Sequence, residues 1–82
     1  MIQKSYEIPL GGLFDAEYRV YRSQFSYFTG LHNGRHLVIH GDECTCWDTF
    51  QDAIQFRYQH YKLNDIVLVH QINLRDTFIE KE

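Results

Sequence analysis

Apolar and polar positions alternate from Ile2 to Pro9, with Ile2, Tyr6 and Ile8 on one side and Gln3, Ser5 and Glu7 on the other. A period of two predicts a β-strand. Pro9 has no N–H for a ladder and Gly11-Gly12 follows, so the strand is expected to stop there.

Residues 13–24 fit two templates. As a strand, Phe14, Ala16, Tyr18 and Val20 alternate with Asp15, Glu17 and Arg19. As a helix, Phe14, Tyr18, Tyr21 and Phe25 recur at i, i+4, i+7 and i+11, with Glu17 as a misfit inside the apolar arc. Tyr and Val favour the strand by propensity; the helix gives the more regular succession of elements.

Phe25–His32 and Arg35–Gly41 are apolar runs separated by Asn33-Gly34. Both turn residues tolerate positive φ, so a type I′ hairpin is expected. It would set Tyr27 opposite His40, Thr29 opposite Val38 and Leu31 opposite His36. Asp48–Lys62 reads as a helix with Asp48 as its cap and Gln51 as capping-box partner. Its buried stripe would be Phe50, Ala53, Ile54, Tyr58 and Tyr61, with Asn64 in a left-handed position just beyond. Ile66–Ile72, "IVLVHQI", is apolar on both faces, as a central strand is. Residues 74–82 extend it, form an edge strand or fray.

These elements predict a single α+β domain over residues 1–82. The expected form is an antiparallel sheet with helices on one face, in the ferredoxin-like order βαββαβ. The alternative, with 13–24 as a strand, is ββββαβ.

Composition changes this picture little. The chain has 82 residues, among them six Phe, six Tyr and one Trp. Aromatic rings give so small a domain an efficient core. The formal charge of −3 opposes phosphate neutralisation and argues against general nucleic-acid binding. Five histidines would carry the charge to +2 on full protonation. Met1 is followed by "IQKSYEIPLGG" with no apolar leader, no apolar run reaches membrane-spanning length, and two cysteines make no disulfide scaffold. A cytoplasmic, reduced protein is expected.

The one stretch rich in ligand-type side chains is "HNGRHLVIHGDECTCWD", residues 32–48. His36 and His40, four apart on a strand, would stand about 13 Å apart and cannot share a metal. Cys44 and Cys46 can share one, with His40 reaching in if the chain turns at Gly41. This set defines a metal- or small-ligand-binding alternative. Otherwise both cysteines are small apolar fillers beside Trp47. The carboxylates of "DECTC" suppress thiolate, and no phosphate loop or nucleophile elbow occurs, so no enzymatic activity and no cofactor are expected.

The segment "YEIPLGGLFDAEYRVYRSQF" resembles the first strand and helix of an RNA-recognition domain, over about a quarter of the chain. The resemblance implies a βαββαβ order and, as a further alternative, base stacking on a sheet face through residues such as Tyr6. "GRHLVIHG" lacks the aromatics of that family's second motif.

Two residues of the second helix break its pattern. Arg57 lies inside the apolar arc, where it either snorkels at the helix edge or pairs with Glu17. Phe56 falls on the polar flank near His60 and is a candidate partner anchor. On the hairpin, Tyr27, Leu31, His36, Val38 and His40 would share a sheet face more apolar than solvent requires. That face is either core or a partner or homodimer surface. The expected function is a non-enzymatic protein-binding module, an inhibitor or adaptor of a larger protein. Its partner-binding candidates are Tyr27, Leu31, His36, Val38, His40, Phe56 and His60. In kind it resembles the small acidic inhibitors of phages and mobile elements, including anti-defence proteins of the anti-CRISPR type.

Overall fold

The computed structural model describes residues 7–80. Ile2 and Tyr6 therefore lie outside the described residues. The chain is α+β, running β1 (Glu7–Leu10), α1 (Asp15–Ser23), α2 (Phe25–His32), β2 (His36–His40), β3 (Glu43–Trp47), α3 (Phe50–His60), β4 (Leu68–Gln71) and β5 (Thr77–Glu80). The strands form two sheets. β1 and β5 pair in parallel, and β2 lies between β3 and β4 in an antiparallel sheet of order β3-β2-β4. The order is thus βααββαββ, and the single ferredoxin-like sheet is not found.

β1 keeps its alternation, with Ile8 and Leu10 buried and Glu7 and Pro9 exposed. It runs one residue past Pro9 because an edge strand tolerates the missing donor, and it ends at Gly11, where φ is 91°. Residues 13–24 are helical. All four rings of the predicted stripe reach the same core: Tyr21 is buried, and Phe14, Tyr18 and Phe25 pack against its cluster. Asp15 in the first turn accepts from Gly11 N at 2.7 Å and pairs with Arg19 at 2.9 Å, one turn on.

The largest correction concerns residues 25–32, which are a helix and not a strand. α1 breaks at Gln24 and resumes as α2. Gln24 N–H donates to both Val20 O and Tyr21 O, while Phe28 N already donates to Gln24 O. Phe28, three residues after Phe25, continues the aromatic stripe into the core. A chain turn does occur at Asn33-Gly34, but of type II. Asn33 has φ −57° and ψ 132°, Gly34 has φ 87°, and Arg35 N donates to His32 O at 3.0 Å. It turns a helix into a strand instead of joining two strands. The hairpin lies one strand later, where His40 faces Glu43 across the two-residue loop Gly41-Asp42. Gly41 alone carries positive φ there, 62°, as a II′ turn requires.

β2 is buried on both faces. Leu37 and Ile39 join Ile8, Tyr21, Phe28, Leu68 and Ile72 on one side. Val38 joins Ala53 and Val67 on the other, beneath α3. The apolar character of "IVLVHQI" has the same origin. Val67 faces the α3 side and Leu68 and Ile72 the opposite one, although β4 pairs only with β2 and is not central.

Thr49, not Asp48, caps α3 by accepting from Asp52 N at 3.1 Å. Asp48 instead stands 2.9 Å from Arg35 Nε, a charge contact without hydrogen-bond alignment. The helix is turned so that Ala53, the small residue that allows close approach, meets the sheet; Phe50 and Tyr58 of the expected stripe are exposed. α3 ends at Tyr61 in extended conformation, and Asn64 does not take positive φ. Arg57 donates to the carbonyls of Lys62, Leu63 and Asp65, holding the loop that leaves the helix. It does not pair with Glu17. That buried carboxylate accepts from Gly41 N at 3.1 Å, so the misfit of α1 fastens the hairpin turn.

A second buried polar group ties the end of the chain to α1. Asp76 Oδ2 accepts from Tyr21 Oη at 2.8 Å and lies 2.8 Å from His70 Nε2. The Tyr21 oxygen in turn accepts from Asn73 N at 3.2 Å.

Candidate functional site

The sequence-predicted partner residues do not share one surface. Tyr27 and Leu31 project from α2, one turn apart and exposed. α2 packs on the Leu37–Ile39 side of the sheet. Val38 is 1% exposed and belongs to the core on the other side. The open sheet face expected for a homodimer or a stacked base is absent at β2, because helices cover both sides. His36 reaches Phe50, with ring centroids 5.8 Å apart.

The remaining three, His40, Phe56 and His60, do come together, in a run of rings between α3 and β3. His40 packs on Tyr61 at 4.7 Å, and Tyr61 meets Phe56 edge-on at 6.1 Å. Phe56 lies 5.0 Å from Trp47 and is stacked by His60 at 4.0 Å. Helical spacing explains the stack, since positions 56 and 60 are one turn apart. Trp47, at the end of β3, is oriented by its indole N–H, which donates to Thr45 Oγ1 at 2.8 Å. His40 Nδ1 lies 2.9 Å from Ile66 O, and Tyr61 Oη donates to Glu43 Oε2 at 3.4 Å. Burial and the Glu43 carboxylate raise the Tyr61 hydroxyl above its ordinary range, which keeps it a donor.

Trp47, Phe56 and His60, but not His40 or Tyr61, form one wall of an open cleft of about 150 Å³, whose lining is completed by Asp52, Gln55 and Gln59. Asp52, Gln55 and Gln59 follow one another at i, i+3 and i+7, a single stripe along the exposed side of α3. Trp47, Asp52, Gln55 and Gln59 were not among the sequence candidates. Trp47 carried a readable signal, a lone Trp before a capped helix; the Asp/Gln stripe looked like any solvated helix face.

The predicted ligand set of Cys44, Cys46 and His40 is divided by the sheet. Cys46 pairs with Leu37 and Cys44 with Ile39, so both thiols face the Tyr21 core. His40 faces α3 on the opposite side. Among the described residues no three His, Cys, Asp or Glu side chains are grouped as metal ligands. Burial pushes both thiols above their ordinary range. Cys46 and Asp42 add to this at Cys44, while Arg35 partly offsets it at Cys46.

No helix among the described residues is long and apolar enough to cross a membrane. No family model, no curated protein and no solved structure matches the chain.

Proposed function

We propose that the chain is a non-enzymatic protein-binding module, acting as a small inhibitor or adaptor of a larger protein, and that the α3 cleft is its binding surface. One observation carries this reading. Phe56, which breaks the polar flank of α3, is gathered with His60 and Trp47 into a ring cluster that borders open solvent. Rigid aromatics with a polar rim are the usual anatomy of a binding hot spot. The net charge of −3 favours a partner with a basic surface. The thiols, held protonated and turned toward the core, supply no nucleophile.

The test compares capture by the immobilised wild-type chain with capture by Q59R and by L31R. Gln59 lines the cleft, and Leu31 is exposed on α2. A partner retained by the wild type and L31R but lost with Q59R supports the reading. A partner indifferent to Q59R overturns it.

A further inference from the structure

We infer that the α3 cleft receives an arginine side chain presented by the partner protein. This rests on reading the cleft as the protein-binding surface, and it specifies the chemistry recognised there.

The cleft has three parts that suit a guanidinium together. The first is the aromatic lining of Trp47, with Phe56 and the His60 ring stacked on it; an aromatic ring attracts a cation placed over its face. The second is Asp52, the only carboxylate lining the cleft among the described residues. Its backbone N–H is used by Thr49 Oγ1, but its carboxylate makes no hydrogen bond or ion pair among the described residues. The third is the pair Gln55 and Gln59, whose side-chain carbonyls are acceptors on the same stripe. Among the described residues no Lys or Arg lines the cleft. Arg35, which precedes β2 and donates to the carbonyl of Cys46 beside Trp47, is also held by Asp48 and His32.

Size and polarity narrow the occupant. A volume of about 150 Å³ accepts a benzene-sized group, which is also the size of a guanidinium with its adjoining methylenes. A purely apolar side chain would meet the rings but make no use of the acceptors of Asp52, Gln55 and Gln59. An ammonium would satisfy Asp52 but present no planar face to the rings and no fork of donors to the carboxylate. Arginine uses all three parts at once.

Titration of the isotope-labelled full chain with acetyl-Gly-Gly-Xaa-Gly-Gly-amide peptides tests this. Xaa is arginine, citrulline, lysine or norleucine, and the readout is the Trp47 indole N–H with the backbone amides of residues 52–60. The expected result is saturable shifts with arginine. Affinity should fall about tenfold or more with citrulline, or with arginine on D52N, the scale of one charge-assisted hydrogen bond. Norleucine binding as tightly as arginine overturns the assignment in favour of apolar docking. Lysine binding as tightly overturns it in favour of charge alone. The absence of arginine-dependent shifts at Trp47 also overturns it. If those shifts are absent while Q59R still abolishes partner capture, the arginine assignment falls and the protein-binding reading stands. Arginine shifts with capture indifferent to Q59R give the converse.

Discussion

Tyr21 and Asp76 lie 55 positions apart and share a buried hydrogen bond of 2.8 Å. The Asp76 side chain is 1% exposed, so its hydrogen-bond partners come from within the protein: Tyr21 Oη donates to it and His70 Nε2 stands 2.8 Å away. Removing the hydroxyl in Y21F leaves a buried carboxylate short of one donor and is expected to destabilise the fold by about 1–3 kcal/mol. Urea unfolding at neutral pH measures this. The same substitution carries a pH signature. Burial pushes the Tyr21 hydroxyl well above its ordinary value of 10.0, aided by Asp76 and opposed by the Asn73 N–H. The native state thus keeps a proton that the unfolded chain releases. Its stabilising effect is complete below about pH 10 and declines as pH rises above that value. Alkaline titration of stability should slope downward in the wild type and less so in Y21F.

Val38 and Leu31 were expected on one surface, and substitution separates them. V38E forces a carboxylate between Ala53 and Val67 and should cost several kcal/mol, comparable to the whole stability of a small domain. L31E alters a residue 69% exposed on α2 and should change stability by no more than about 0.5 kcal/mol. Circular dichroism melts of the two variants provide the comparison.

Gly30 and Gly41 both have open space where a Cβ would stand, yet their alanine variants should move stability in opposite directions. Gly30 is within α2, so G30A should stabilise by about 0.5–1 kcal/mol. Gly41 has φ 62° in the hairpin turn, so G41A should destabilise by about 1–2 kcal/mol. Paired denaturation curves check the sign of each.

Cys44 and Cys46 have pKa values raised first by burial. Thiol-exchange reagents at pH 7 should therefore react with the native chain more slowly than with the urea-unfolded chain, and the difference should persist as pH rises through the ordinary thiol range. Equal rates would place the thiols in solvent.

Individual residues show what the sequence made legible. The stripe Phe14, Tyr18, Tyr21 and Phe25 favours the helix over the strand reading of residues 13–24, and all four rings do reach one core. Its single misfit, Glu17, also marked something real: a buried carboxylate is tolerated there because the Gly41 N–H satisfies it. The hairpin was misplaced because two glycine turns compete. Asn33-Gly34 and Gly41-Asp42 are both acceptable hairpin loops, and only the type of the preceding element decides between them. "FSYFTGLH" has strand-like composition, but Phe25 and Phe28 continue the α1 stripe, and tertiary burial overrides propensity. Of the candidate site, Phe56 was legible as a residue out of pattern, with His60 beside it on the same flank. The contributions of Trp47 and Asp52 depend on where β3 ends against α3, which local periodicity does not encode.

The parallel pairing of β1 with β5 sets an order in time. Glu7 pairs with Thr77, which follows it by 70 residues. At about 5–20 residues per second, synthesis places β5 roughly 4–14 s after β1. Ile8 and Leu10, both fully buried in the finished fold, have no strand partner during that interval. The helices and the three-stranded sheet all lie between the two strands in sequence, so β1 gains its partner only when the chain closes back over them. Among the described residues, the segment translated last is the one that gives β1 its partner.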